Sequence, residues 1–574
     1  MSNEKPEAGV NHAVLSSALA ALLFAASSAA QARIINAASP SLADVRTAIA
    51  SAADGDTVIV PAGTASWTSG VTITKSITIQ GQTTVNSDDG TANDLTVLVD
   101  NLTYNGGGHA FFSINVPATK PFRLTGITFR GGSRNETLTN GAVAFGGQTD
   151  KVRIDHCHFT GGLRHLNYIA VYSTIYGVAD HLVLDNMPSQ QGQQRAFNGT
   201  GYGDLEFAQP ADYGSNKFFF FEDCYINNTN GPFTASGGVD ASRGGKFVVR
   251  YCHLFDVEIL CHGTENDRSR GGRAQEIYNN DFHWSYRTTL DGIRSGSIMF
   301  HDNSFVGILP DGMGMQTYRL MLDYGSGPWF GASGDSPWDV NVTEPDGTHI
   351  DGHPPYLFQS GTVTSATSNP NSGVMTLTDR SKNWATNQWA YYTTHKVGAR
   401  FIGQIISNTN NTLTMRCLSG SFQAGDQYQI HKVLIALDQP GRGQSDLISG
   451  DSPTPVAWPH QQLEPCYSWN NIHSPGGEHI NFNPAQSTAD TVRNGRDYFN
   501  DTPMPGYTPY VYPHPLVSGV QPPASATPNS PHHHYKKKKE NKKAKTKKRE
   551  NAKKSPANEI AEPLAPDQSD NSSN

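Results

Sequence analysis

Five short stretches of this chain repeat one scheme, and that repeat constrains the fold more than any other feature. They are VRIDHCHF (152–159), FFFEDCYI (219–226), FVVRYCHL (247–254), QEIYNNDF (275–282) and IMFHDNSF (298–305). Each runs an apolar strand into a polar pair, then Cys or Asn, then one further residue and a large apolar one. With Cys157, Cys224, Cys252, Asn280 and Asn303 as equivalents, the spacings are 67, 28, 28 and 23 residues. A strand-bearing unit recurring at this period marks a solenoid, whose coils bury their apolar faces only against their neighbours. The longest gap has room for two or three coils, with HLVLDNM (181–187) inside it. The expected fold is all-β, a right-handed parallel β-helix. Stacked Asn amides can hydrogen-bond along such an axis, and Cys fills the same row as a small buried hydrophobe.

The flanking sequence extends this reading. Leu42, Val45, Ala48 and Ile49 share one face of a short helix that leads into DGDTVIVPAG (54–63), so a helix is expected to cover the open end of the first coil. VTITKSITIQG (71–81) and FRLTGITFRGG (122–132) alternate as strands and close on Gly. With 56 Gly and 34 Pro against 16% charged residues, the body is turn-rich and strand-rich rather than a helical bundle. The helix is expected over 33–356, a small all-β insertion over 357–437, and an aromatic, Pro-rich segment covering the far end or flank over 438–520. Residues 521–574 read as a linker and a disordered basic tail.

Ala13 to Ala30 is almost wholly small and apolar, and Ala30-Gln31-Ala32 fits the pattern before a signal-peptide cleavage site. Residues 1–32 are thus expected to be a signal peptide, and the mature chain secreted, periplasmic or at the cell surface. A membrane anchor is the alternative for that run. The six cysteines, at 157, 224, 252, 261, 417 and 466, follow no metal-ligand spacing, so no zinc site is expected. All twelve Lys and Arg after Pro531 fall within 532–554, and the body before them is acidic. Such a tail is drawn to anionic surfaces in a salt-dependent way, while an export signal argues against a specific nucleic-acid role.

Chemistry has two candidate locations. The row just after each apolar strand reads Asp155, Glu222, Arg250, Tyr278 and His301. The loops that follow hold Asp240 and Arg243, then His262, Glu265, Asp267, Arg268, Arg270 and Arg273, then Arg287, Asp291 and Arg294. Arginines converging from successive coils suit an acidic sugar chain, whose carboxylates they take in bidentate fashion. Asp88-Asp89 is the one Asp-Asp pair, and turn chemistry beside Gly90 explains it better than glycoside hydrolysis. Trp329, Trp338, Trp384, Trp389 and Trp458 lie outside the repeat and are expected to pack rather than to stack on sugars.

The segment KFVVRYCHLFDVEILCHGTENDRSRGGRAQEIYNN (246–280) resembles the pair of coils in pectate lyases that reads roughly VTFHHNxF, RxPxxR, HVYNN. VRIDHCHF resembles the VWIDH segment of that family, in the same order along the chain. Arg268 and Arg273 match the five-residue separation of the two family arginines. The resemblance covers about 40–310 in architecture and 150–282 in motif. It implies that Arg268 abstracts the C5 proton of a uronate, while carboxylates hold calcium that neutralises the sugar acid. On this reading Arg268, Arg273 and Arg250 are catalytic, and Arg270, His262, Tyr278 and Arg294 bind substrate. Glu222, Asp223 and Asp240, on adjacent coils, are candidate calcium ligands. The expected function is that of a secreted polysaccharide lyase acting on an acidic polysaccharide. A non-catalytic glycan-binding or adhesion solenoid, and a glycoside hydrolase of the same fold, are the alternatives.

Overall fold

The computed structural model describes residues 31–519 apart from 104–109, 135–137, 161, 186–194, 200–208, 230–236, 264–270, 286–289, 317–339, 342–355, 370–372, 391–392, 399–401, 417–420, 433–438, 444–459 and 485–491. Residues 1–30 of the expected signal peptide 1–32, the tail, Cys417, Trp329, Trp338 and Trp458 therefore lie outside the described residues, as do Arg268, Arg270 and Arg287.

Three long parallel sheets of twelve, ten and ten strands wrap one apolar core, as a parallel β-helix requires. Each coil gives one strand to each sheet in turn. The sixth coil, for example, is Phe219–Glu222, Tyr225–Asn227 and Gly237–Ala241, and the seventh is Lys246–Arg250, His253–Phe255 and Glu258–Cys261. The helix Leu42–Ser51 caps the first coil, burying Val45, Ala48 and Ile49, with the Ser41 side chain accepting from the Asp44 N–H.

The polar pair of the repeat has a conformational cause. Between the first and second sheets the chain turns on one left-handed residue, at φ 50° in His156, 49° in His181, 53° in Asp223, 55° in Tyr251, 56° in Asn279, 54° in Asp302 and 52° in Asn470. Asn, Asp and His tolerate that region better than other side chains. The next residue points inward. Cys157, Cys224 and Cys252 fill that row in the early coils and are free thiols, fully buried. In the later coils it is an amide ladder: Asn280 Nδ2 donates to Asn303 Oδ1 at 3.0 Å, and Asn303 Nδ2 to Asn471 Oδ1 at 2.7 Å. The same amides also donate to the Val249, Ile277 and Phe300 carbonyls, so each buried donor pair is satisfied.

Two differences from the sequence reading follow. The 67-residue gap holds a single extra coil, whose strands Gly177–Asp180 and Val183–Leu184 put Leu182 in the cysteine row. More consequentially, the solenoid does not stop before the insertion. Cys466–Trp469, Ile472–Ser474 and Phe482–Pro484 add one more strand to each of the three sheets, so 438–520 is not solely a covering segment. The inserted region forms a seven-stranded antiparallel sheet from Tyr356–Thr362 to Gln427–Lys432, with its own core, in which Trp384 and Trp389 are buried.

Asn303 takes part in the ladder on both sides, so Asn303→Ala leaves buried polar atoms unmatched on the neighbouring coils. Urea denaturation should show a loss of about 3 kcal/mol; a change within about 0.5 kcal/mol would mean that the ladder contributes little to stability.

Candidate functional site

Strand register places the expected polar row in one line on the outer face of the first sheet: Asp155, Asp180, Glu222, Arg250, Tyr278, His301 and Trp469 pair in succession. The row is not open to a ligand. Residues 500–518 run down this face as a strap, and Tyr510, Leu516 and Val517 pack on Val178, Phe220 and Val248. Arg250 is fully buried; its Nε donates to Glu222 Oε2 at 2.9 Å and one terminal nitrogen to the Tyr278 hydroxyl at 2.9 Å. Its terminal nitrogens also donate to the strap carbonyls of Tyr510 at 2.7 Å and Val511 at 2.9 Å. The His514 N–H donates to Glu222 at 2.9 Å, and the Tyr512 hydroxyl to Asp223 at 2.8 Å. Arg250, Glu222 and Asp223, expected at a catalytic and calcium-binding centre, thus hold the C-terminal strap, and Tyr278, expected to bind substrate, is buried and accepts from Arg250.

Arg273 is likewise buried. It forms an ion pair with Glu464, at 2.5 and 2.9 Å, and donates to the Gln209 carbonyl at 2.8 Å. Glu464 also accepts from Ser297, which meets the Tyr213 hydroxyl at 2.7 Å. Its partner lies 191 residues away in sequence, so the loop motif gave no sign of this engagement. Arg268 and Arg270 lie outside the described residues.

The third sheet has a different outer face. Val239, Ala241, Ile259, Cys261, Ile293 and Met315 point into the core, so the residues between and after them point out. Ala241, Cys261, Ile293 and Met315 are in register on successive coils, and the residues that follow continue the ladder. His262 N–H donates to the Ala241 carbonyl at 2.8 Å, Arg294 N–H to Cys261 at 2.9 Å, and Gln316 N–H to Ile293 at 3.0 Å. The result is a row of His262, Arg294 and Gln316 on three neighbouring rungs, spaced about 4.8 Å apart. Arg294 Nε donates to Gln316 Oε1 at 3.3 Å. On the preceding coil Asp240 Oδ1 lies 2.8 Å from His262 Nδ1, both side chains being buried. An ionised carboxylate can only accept, so Nδ1 carries a proton toward Asp240. Beside Arg294 and Gln316 the adjacent row is Gly292 and Gly314, which leaves the sheet surface without side chains there, and both polar residues are partly exposed.

The structure therefore brings His262, Asp240 and Arg294 together, and puts Glu222 and Asp223 on another sheet. The three expected calcium ligands do not converge on one ion. Among the described residues, no group of three or more His, Cys, Asp or Glu side chains is placed to hold a metal. Gln316 and the pairing of Asp240 with His262 were missed from the sequence. The available signal was positional, since each residue of the row follows an inward-facing Cys, Ile or Met.

No family model and no curated protein matches this chain. Among solved structures it is similar to an alginate lyase from Paenibacillus sp. str. FPU-7, at 15% identity and a TM-score of 0.24, covering 48% of this chain and 87% of that one. At that score the strand register remains the basis for the fold.

Two predictions concern the strap. Arg250→Met leaves the Glu222 carboxylate buried without its cation and should lower stability by about 3–5 kcal/mol, much of it restored by Glu222→Gln in the double variant. Glu276, on the same face, is buried and accepts from the Tyr507 hydroxyl at 2.5 Å and the Gly214 N–H at 2.8 Å. Burial pushes its carboxyl up to about 7 from an ordinary 4.5, against the pull of those two donors and of Arg250. The folded state thus holds this proton more tightly, and the stability it confers is present below about pH 4.5 and lost as pH rises through about 7. Denaturation midpoints should show Glu276→Gln matching the parent near pH 4 and exceeding it by about 3 kcal/mol at pH 8.

Proposed function

We propose that the chain is a polysaccharide lyase that acts outside the cell on a uronate-containing polymer, on the outer face of the third sheet. The carrying observation is the polar row of His262, Arg294 and Gln316 on three successive coils, with Asp240 of the preceding coil against His262. A polymer laid along the solenoid meets one such rung about every 4.8 Å, close to the length of a sugar residue. Arg294 supplies a fixed cation for the sugar carboxylate, whose charge must be stabilised as the C5 proton leaves. The resemblance of 246–280 to paired pectate-lyase coils supports the same face, because the segment between its two motifs leads out of the third sheet. The leader-like run at 13–30 supports export. The reading invokes no calcium, because Glu222 and Asp223 hold the strap.

The purified protein should release unsaturated oligosaccharides from one of a panel of acidic polysaccharides, followed by ultraviolet absorbance of the new double bond. Arg294→Ala should lower kcat/KM by about 10- to 100-fold. Saturated products would indicate a hydrolase, and saturable binding without products a glycan-binding solenoid; either result contradicts the lyase reading.

A further inference from the structure

We infer that His158 is a pH-operated clamp on the outer face of the second sheet, holding Asp185 when protonated and releasing it to the Tyr168 hydroxyl when neutral. The inference is independent of the lyase reading. His158 is buried on the fourth coil, with a carboxylate at each ring nitrogen: Nδ1 lies 2.7 Å from Asp94 Oδ1 and Nε2 3.2 Å from Asp185 Oδ2. Ionised carboxylates only accept, so both nitrogens donate, and only the imidazolium has two N–H groups. The ring thus joins the chain just before the second-coil strand Thr96–Asp100 to the chain just after the fifth-coil strand Val183–Leu184.

The two carboxylates are held unequally. Asp94 also accepts from the Thr128 hydroxyl at 2.7 Å and from an Arg130 terminal nitrogen at 2.9 Å, donors that keep their protons at neutral pH. Asp185 lacks such support, and its Oδ1 is buried without a hydrogen-bond partner. The Tyr168 hydroxyl, on the fourth-coil strand His165–Val171, is likewise buried and without a hydrogen-bond partner, its ring stacked on Phe159. Burial first, and the Asp185 charge second, push that hydroxyl well above its ordinary 10, so it remains a proton donor within the field of Asp185. An unmatched donor and an unmatched acceptor on neighbouring coils supply the second arrangement. When the imidazolium loses a proton, the shorter bond keeps the remaining N–H on Nδ1 toward Asp94. Nε2 then turns a lone pair to Asp185 Oδ2, and the carboxylate gains by accepting from Tyr168.

The charged and titratable groups around the ring are Asp94, Asp185 and Arg130, with Tyr168 behind Asp185, and with Tyr225 on the next rung under the charges of Asp185 and Asp89. Burial alone would lower His158, but the hydrogen bonds and charges of Asp185 and Asp94 outweigh it and raise the imidazole above its ordinary 6.5. The clamp's stabilisation is therefore fully present below 6.5 and is lost as pH rises through the raised value.

The test compares the full-length protein with His158→Gln, Asp185→Asn and Tyr168→Phe from about pH 5 to about pH 9. Exchange of the His158 C2 hydrogen, read by mass spectrometry, follows the ring's titration. Backbone exchange of the peptide spanning Val183–Asp185 follows release, because the Asp185 N–H donates to the Phe159 carbonyl at 3.0 Å. In the parent, His158 should titrate above 6.5, and protection of that peptide should fall about tenfold across the titration, after correction for intrinsic exchange. His158→Gln should abolish this pH dependence, and Asp185→Asn should lower the titration of His158. Tyr168→Phe should match the parent in acid, where the hydroxyl has no partner, and show about tenfold less protection on the alkaline side. Should His158→Gln fold poorly, the two variants that keep the ring decide. A parent His158 that titrates at or below its ordinary value, or protection that does not follow it, overturns the clamp. Tyr168→Phe indistinguishable from the parent at both ends overturns the transfer to Tyr168 and with it the switch.

Discussion

A coil of this solenoid has no second layer of its own, so it buries its apolar face only by stacking on the next coil, and every outward row inherits its spacing from that stacking. The left-handed residue between the first and second sheets enforces it, recurring at nearly the same φ in seven coils and sending the next side chain inward. Where that side chain is Asn, the amide ladder bonds one coil to the next; where it is Cys, a buried thiol fills the same space. The insertion is accommodated because it leaves after Met313–Met315, and Cys466–Trp469 resumes the same register.

That regularity produces two polar rows with opposite fates. On the first sheet, Asp155, Asp180, Glu222 and Arg250 are sealed, and Glu222 and Arg250 fasten the strap through its backbone N–H and carbonyl groups. Arg153 does the same near the end of the strap, donating to the Leu516 carbonyl while paired with Asp180. On the third sheet the row keeps Arg294 and Gln316 partly exposed, with glycines beside them. The fold thus spends one charged face on closure and leaves another for chemistry.

How much of this was legible depends on sequence distance. The capping helix, the repeat and the register of Asp155, Glu222, Arg250, Tyr278 and His301 were all readable, because each rests on local periodicity. What covers that row was not, since Arg250 meets its strap partner 260 residues away and Arg273 its glutamate 191 away. The resumed coil was obscured in the same way, although YSWNN at 467–471 follows the scheme of EIYNN at 276–280. Asp240 and His262 were both singled out but given separate tasks, as metal ligand and substrate contact. Their pairing needs the outward direction of two residues on adjacent coils, which the repeat alone did not fix for the third sheet.

The account's central claim is that a uronate chain lies on the third sheet rather than on the first or on the insertion. The most direct measurement is a crystal structure of the protein with a short uronate oligomer. The account predicts density for the sugar along the rungs of Arg294 and Gln316, with one carboxylate on the Arg294 guanidinium. Density confined to the insertion or to the strap-covered face would contradict it.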